Sequence, residues 1–133
     1  MKITKHTKSL VLIDQIISVL EKETESLDTE FFDTVILNFR DPGYSAETGG
    51  FHPVEISLTA TGDLQYITDF AYVGSGEMSE LEKELDFDFS LALFQQYGHD
   101  YVITEGAELF KIWQENFCSY YQSGMYEVEI TTL

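Results

Sequence analysis

The sequence contains one cysteine and two prolines among 133 residues. A single cysteine, Cys118, cannot form an internal disulfide, so the disulfide framework of small secreted domains is excluded. No apolar run approaches the roughly 18 residues that a membrane-spanning helix needs. The apolar run at residues 10–13 follows three lysines, but Asp14 and Gln15 interrupt it before any signal-peptide cleavage site. We therefore expect a cytoplasmic protein without a membrane segment.

Basic residues are scarce as well. The 7 lysines and arginines stand against 24 aspartates and glutamates, which gives a formal net charge of −17. Such a charge repels nucleic-acid phosphates and anionic lipid headgroups, which argues against direct binding to nucleic acid or to a membrane. It attracts basic proteins and cations instead. High charge also keeps a protein soluble, so it indicates the sign of a partner without establishing that one exists.

Hydrophobic residues make up 44% of the chain, and aromatic residues 14%. This content is well above that of disordered chains, and the length is usual for one domain. No repeat, low-complexity tract or linker divides the chain. We predict a single acidic domain over residues 1–133.

Hydrophobic periodicity predicts helices near both ends and strands between them. Apolar residues recur at helical spacing over residues 9–23 and again after Thr104, with Gly124 placed to end the second helix. Between the helices the spacing changes to two, and residues 125–132 alternate in the same way. These patterns predict an α+β fold in which an antiparallel meander is flanked by an N-terminal and a C-terminal helix and followed by a final C-terminal strand.

Alternation over residues 31–40, 52–60 and 64–72 predicts three strands of this meander, and residues 81–93 predict a fourth. In the first and third strands, the residues expected to face the core are Phe31, Val35, Leu37 and Phe39, and Leu64, Tyr66, Phe70 and Tyr72. In the C-terminal helix, Thr104 is expected to cap the N-terminus, and the expected buried stripe is Leu109, Trp113, Phe117 and Tyr120.

The most unusual segment is the acidic strand at residues 80–89. Alternation places five carboxylates on one of its faces, those of Glu80, Glu82, Glu84, Asp86 and Asp88. This stripe predicts a docking surface for a basic protein, and a solvated strand face that discourages edge pairing explains the same pattern equally well. The segment lacks the glycine and terminal glutamate of a calcium-binding hand loop.

A second cluster lies in the loop between the first two predicted strands. Its members are Arg40, Asp41, Tyr44, Glu47, His52 and Glu55. In an enzyme, His52 would act as a base oriented by Asp41 or Glu47, and Arg40 would hold an anion. We favour a structural loop in which Arg40 pairs with a nearby carboxylate. The enzyme hypothesis requires a pocket in which His52 converges with at least two of Arg40, Asp41 and Glu47.

No other motif indicates a cofactor, a metal or catalysis. Cys118 lies among aromatic residues of the predicted C-terminal helix, which indicates a buried, inert thiol. Three scattered histidines and one cysteine lack the spacing of a zinc site. Residues 74–76 lack the remainder of a dinucleotide or phosphate-binding loop, which indicates a turn. We therefore expect a protein without a bound cofactor or metal.

Several motifs occur together after about residue 31. They are residues 38–42 (NFRDP), 44–45 (YS), 49–50 (GG), 52–56 (HPVEI), 105–110 (EGAELF), Trp113 and 126–129 (YEVE). Together they resemble a gammaproteobacterial domain-of-unknown-function family of acidic proteins encoded on genomic islands. The fold of that family is similar to that of the mitochondrial acidic matrix proteins, which include the human receptor for the globular heads of complement. The resemblance implies a strongly twisted sheet and a role in binding partners without catalysis, and it leaves homo-oligomerisation open.

We predict a non-enzymatic acidic binding protein that engages a basic protein partner. Two alternatives remain open. A nucleic-acid mimic would present carboxylates in place of phosphates and inhibit a DNA-binding protein. An enzyme would use the loop from Arg40 to Glu55.

Overall fold

The computed structural model describes residues 1–7, 10–74 and 76–133. Two helices, α1 (Asp14–Thr24) and α2 (Ala107–Gln122), lie near the two ends of the chain. The strands are β1 (Thr34–Arg40), β2 (Val54–Thr59), β3 (Leu64–Val73), β4 (Glu80–Asp88), β5 (Leu93–Gln96), β6 (His99–Val102) and β7 (Glu127–Thr132). Short 3-10 helices cover Thr29–Phe31, Gly76–Met78 and Ile103–Gly106.

The seven strands form one sheet in the order β6-β5-β4-β3-β2-β1-β7, and every neighbouring pair is antiparallel. Strands β1 to β6 follow one another as a meander, and β7 returns to pair with β1 on its other side. The predicted α+β fold, with a helix near each end and a final C-terminal strand, is confirmed.

The hydrophobic core lies between one face of the sheet, called the inner face below, and the helices. Phe39 of β1 meets Phe117 of α2 edge to face at 4.9 Å between ring centroids. Phe87 of β4 contacts Phe110 of α2 at 4.8 Å. All four side chains are almost completely buried, and burying each stabilises the fold by roughly 1.5–3 kcal/mol.

The N-terminal helix begins later than the periodicity predicts. Helix α1 starts at Asp14, although Leu10 and Leu12 are buried in the extended segment before it. The backbone N–H of Ile13 donates to the Gln114 side-chain oxygen on α2 at 2.9 Å, so a tertiary contact satisfies a donor at the helix start. The predicted first residue of this helix, residue 9, lies outside the described residues, as does residue 75 of the predicted 74–76 turn.

The predicted core faces are wrong in two places, although Val35, Leu37 and Phe39 of β1 are buried as predicted. Phe31 is 83% exposed because it belongs to a 3-10 turn before β1. In β3, Ser57 pairs with Tyr66 and Leu58 with Leu64, so Gln65 is an extra residue that reverses the alternation. The residues of β3 that are buried after this bulge include Ile67, Asp69 and Ala71, whereas the predicted Tyr66, Phe70 and Tyr72 lie on the opposite face.

The C-terminal half differs in smaller ways. Residues 81–93 do not form one strand, because β4 ends at Asp88 and β5 begins at Leu93. Thr104 lies inside a 3-10 turn and provides no cap to α2, and Tyr120 is exposed whereas Trp113 and Phe117 are buried. Gly124 follows α2 with φ +74°, as expected for a glycine that ends a helix.

Gly62 gives a stability test of the contact between the N-terminal segment and the β2–β3 turn. A Cβ atom at Gly62 would lie 1.9 Å from the Lys2 carbonyl oxygen, whereas one at Gly98 would meet no described atom within 4 Å. Both glycines have positive φ, +87° and +81°. Gly98→Ala should therefore lower the free energy of unfolding by about 1–2 kcal/mol through backbone strain alone. Gly62→Ala should lower it by about 1–3 kcal/mol more, as measured by urea unfolding; equal losses would contradict the contact.

Candidate functional site

The acidic strand β4 contains a β-bulge. Asp69 of β3 pairs with Leu85, but the next residue, Phe70, pairs with Lys83. Glu84 is therefore an extra residue without a partner position in β3. A bulge of this kind shifts the phase of the side chains along the strand.

The bulge divides the five carboxylates that alternation places on one face. Because residues that pair across strands share a face, the partners of each carboxylate locate it. Glu80 and Glu82 pair with Val73 and Ala71 on the inner side, whereas Asp86 and Asp88 pair with Thr68 and Tyr66 on the other, outer face. The predicted single stripe of five carboxylates is therefore wrong.

Glu84 instead meets a histidine and a second carboxylate. His52 Nδ1 lies 2.7 Å from Glu84 Oε2 and 3.2 Å from Asp69 Oδ1. Val54 pairs with Asp69, which brings the segment before β2 beside β3, and the bulge brings Glu84 to the same point. We call His52, Asp69 and Glu84 the His52 cluster.

The other oxygen of each carboxylate in the His52 cluster also accepts a hydrogen bond. Trp113 Nε1 on α2 donates to Asp69 Oδ2 at 2.9 Å. The Tyr97 hydroxyl, in the β5–β6 turn, donates to Glu84 Oε1 at 3.0 Å. Both carboxylates are thus oriented from two sides.

Burial dominates the electrostatics of Asp69. The Asp69 side chain is 12% exposed, and desolvation raises its pKa to about 6. The hydrogen bond from Trp113 and the neighbouring His52 lower this pKa, and the charge of Glu84 raises it. The pKa of Tyr97 is raised chiefly because its hydroxyl donates to Glu84.

A cavity of about 280 Å³ adjoins the cluster. His52 and Asp69 line it together with aromatic side chains, which include Phe51, Trp113, Tyr120 and Tyr126. Burial raises the pKa of Tyr126, so this phenol stays neutral at physiological pH. The cavity therefore combines aromatic walls with one buried carboxylate and one imidazole.

The loop predicted as an enzyme site does not assemble. Arg40 and Glu47 are exposed, and neither they nor Asp41 lines the cavity beside His52. Asp41 accepts hydrogen bonds from the N–H groups of Gly43 (2.8 Å) and Phe51 (3.0 Å), so it shapes the loop. The required convergence on His52 is absent among the described residues. The predicted ion pair of Arg40 is absent there too, since no described carboxylate lies within 4 Å of its guanidinium.

Two other loop candidates have different positions. The Tyr44 ring lies 5.4 Å from the His52 ring, centroid to centroid, and its hydroxyl accepts from the Tyr72 backbone N–H. Glu55 lies on the outer face, where it accepts from the Tyr66 hydroxyl at 2.5 Å. Tyr44 thus borders the His52 cluster and Glu55 does not.

The predicted burial of the Cys118 thiol is confirmed. Cys118 is buried, and burial raises its pKa to about 11, so the thiol is neutral at physiological pH. In the described ranges, every helix is too short or too polar to cross a lipid bilayer.

Replacing Trp113 by phenylalanine tests the hydrogen bond to Asp69. The substitution keeps a ring but removes the donor, so we expect the free energy of unfolding to fall by about 1–3 kcal/mol in urea titrations. The same change in an Asp69→Asn background should cost less, since a neutral acceptor is cheaper to leave unpaired. Equal costs in the two backgrounds would assign the loss to ring packing instead.

The raised pKa of Asp69 predicts how the stability of the fold depends on pH. The folded protein holds this proton more tightly than the unfolded chain, whose aspartates titrate near 3.9. The stabilisation from protonated Asp69 is therefore complete below about pH 4 and is lost as pH rises to about 6. Carbon-13 NMR should show the Asp69 carboxyl titrating near pH 6, and a midpoint at or below 4 would contradict its burial.

Two solved structures are similar to this chain in both sequence and fold. The hypothetical protein VC0508 from the Vibrio cholerae VSP-II pathogenicity island is 36% identical, with a TM-score of 0.81 over 97% of this chain and 100% of its own. The conserved hypothetical protein VC1805 from V. cholerae pathogenicity island VPI-2 is also 36% identical, with a TM-score of 0.80 over 96% of this chain and 98% of its own. VC1805 is described as sharing structural homology with the human P32 protein.

No curated protein matches the chain. The model of the family described as "Protein of unknown function (DUF2787)" matches residues 10–131. With the two island-encoded relatives, this match confirms the resemblance that the motifs indicate. The chain belongs to the DUF2787 family.

Proposed function

We propose that this chain is a non-enzymatic acidic binding protein that engages a basic protein partner through the outer face of its sheet. The observation that carries the proposal is a row of polar residues across all seven strands, each directly opposite the next. The row consists of Asp100, Gln95, Asp86, Thr68, Glu55, Asn38 and Glu129, in the order of the strands from β6 to β7. We call it the outer-face row.

Every second strand contributes a carboxylate to the outer-face row. Neighbouring strands lie about 4.8 Å apart, so successive carboxylates are separated by about 10 Å. That separation limits their mutual repulsion. Asp86 and Thr68, in the middle of the row, are buried, so a basic partner would meet the carboxylates on either side of them. An extended acidic surface of this kind complements a basic partner.

Polar neighbours orient three of these carboxylates. Gln95 Nε2 donates to Asp100 at 2.6 Å, Thr68 Oγ1 donates to Asp86 at 2.8 Å, and Tyr66 donates to Glu55. Asp86 itself is buried, and Lys83 Nζ lies 3.9 Å from it. The contact residues of the proposed surface are therefore Glu55, Asp100 and Glu129.

Two observations support the non-enzymatic part of this proposal. The loop from Arg40 to Glu55 would be the enzyme site, but Arg40, Asp41 and Glu47 do not line the cavity beside His52. The implied likeness to acidic matrix proteins that bind partners favours the same conclusion.

Capture from a lysate of the source organism at low salt tests the outer-face row. One variant combines Glu55→Gln, Asp100→Asn and Glu129→Gln, and a control combines Glu25→Gln, Glu30→Gln and Glu115→Gln, which are exposed residues elsewhere. Each triple change raises the formal net charge by three, from −17 to −14. We expect the wild type and the control to retain a basic protein that the row variant loses. Capture should also weaken as salt shortens the screening length from about 10 Å at 0.1 M to about 3 Å at 1 M.

Two outcomes would overturn the proposal. If the row variant retains the same proteins as the wild type, the outer-face row is not the binding surface. If the wild type retains no basic protein, the proposed function itself is wrong. A third variant, Glu80→Gln with Glu82→Gln, tests the exposed carboxylates of β4 that lie on the inner side. Addition of duplex DNA addresses the mimic alternative, since DNA would displace a captured DNA-binding protein.

A further inference from the structure

We propose that the His52 cluster binds a first-row divalent transition-metal ion, with Zn²⁺ as its representative. The ligands would be His52 Nδ1, Asp69 Oδ1 and Glu84 Oε2. This site lies on the inner side of the sheet and is separate from the outer-face row. It goes beyond the proposed function, and neither depends on the other.

The geometry of the three ligand atoms is close to that of a metal site. They lie within 4.8 Å of one another, and Nδ1 is 2.7 Å and 3.2 Å from the two oxygens. Ligand atoms around a tetrahedral Zn²⁺ with bonds of 2.0–2.2 Å are separated by about 3.3–3.6 Å. Binding the ion therefore requires Nδ1 and the Glu84 oxygen to move apart by less than about 1 Å. Metal ligands must be deprotonated, so binding of the ion releases any proton that Nδ1 and the carboxylates share.

The donor set determines the class of ion. One imidazole nitrogen with two carboxylate oxygens suits Zn²⁺ and its first-row neighbours. Ca²⁺ takes six to eight oxygen ligands and Mg²⁺ retains most of its waters, so neither gains much from a histidine nitrogen. This nitrogen distinguishes the His52 cluster from the many exposed carboxylates of the chain, which attract all cations without selecting among them.

Surrounding residues hold the ligands as they do in known metal sites. Trp113 and Tyr97 lie outside the cluster and donate to Asp69 Oδ2 and Glu84 Oε1. The other two oxygens, Asp69 Oδ1 and Glu84 Oε2, are left directed at His52 Nδ1. Such outer contacts fix ligand orientation and commonly contribute 10–100-fold to metal affinity. The site is also partly sheltered, since the His52, Asp69 and Glu84 side chains are 38%, 12% and 23% exposed.

The adjoining cavity gives access to the coordination position that three protein ligands leave open. His52 and Asp69 line its wall, so an ion bound to them is accessible from a space of about 280 Å³. A tetrahedral ion with three protein ligands keeps one position for water or another small ligand. The aromatic residues around the cavity limit how many waters can reach the ion.

Calorimetric titration of the full chain with Zn²⁺ in an excess of Mg²⁺ tests the site. Mg²⁺ occupies the diffuse acidic surface, so a saturable one-to-one Zn²⁺ site should remain. His52→Ala and Glu84→Gln should each weaken this binding by about tenfold or more. His99→Ala is the matched control, because His99 is exposed on β6 outside the cluster, and it should leave the affinity unchanged.

Nitrogen-15 NMR of the imidazole provides a second readout, since Zn²⁺ on Nδ1 shifts that nitrogen and leaves the proton on Nε2. Circular dichroism checks the fold of each variant, and Glu84→Gln decides the outcome if His52→Ala does not fold, because it nearly preserves shape. Wild-type affinity in both cluster variants would overturn the proposal, as would the loss of a one-to-one site under Mg²⁺. The cluster would then be a histidine hydrogen-bonded to two carboxylates. The titration contains no basic partner, so its result is independent of the capture experiment.

Discussion

The hydrogen bond between Trp113 and Asp69 joins the middle of the sheet to the C-terminal helix. A carboxylate buried under a helix is costly unless it is hydrogen-bonded, and here the Trp113 indole donates to it while His52 Nδ1 lies within hydrogen-bonding distance of its other oxygen. The rings of Phe110 and Phe117 stack on either side of Trp113, so the donor is held by the aromatic core itself. This contact therefore connects α2 with His52 and with the cavity, which His52, Asp69 and Trp113 line together.

Two bulges adapt the sheet to that contact. The extra residue Gln65 shifts β3 so that Asp69 faces the helix instead of solvent. The extra residue Glu84 shifts β4 so that its carboxylate reaches His52. Without the Gln65 insertion, strict alternation from buried Leu64 would direct the Asp69 carboxylate away from the core. The irregular positions of this sheet are therefore the positions that build its polar site.

Much of the fold could be predicted from the sequence, because hydrophobic periodicity directly reports which face of an element is buried. It located both helices, most strands and the glycine that ends α2. The same rule failed beyond each bulge, since an inserted residue reverses the phase without leaving a mark in the local pattern. For this reason strict alternation places Tyr66 and Tyr72 in the core and gives the acidic strand a single carboxylate face.

The site was harder to predict than the fold. The sequence indicates His52 as a candidate, but proximity along the chain favours nearby loop residues such as Asp41 and Glu47 as its partners. The true partners are 17 and 32 residues away, and only the pairing of β2, β3 and β4 brings them together. One signal was present, a lone aspartate within the otherwise uncharged strand at residues 64–73. A buried carboxylate at such a position requires a donor, and the single tryptophan was available to provide it.

The pairing of β7 with β1 also has a consequence for the order of folding during synthesis. Strand β1 pairs with β2 soon after both emerge, but its other edge waits for β7, almost ninety residues later. At typical translation rates of about 5–20 residues per second, the delay is on the order of ten seconds. Throughout that interval β1 presents an unpaired edge, and its Phe39 lacks the Phe117 ring of α2 that covers it in the folded protein. During synthesis the nascent chain therefore exposes a strand edge to which another strand could pair. Its many carboxylates repel a second nascent chain and so oppose that pairing.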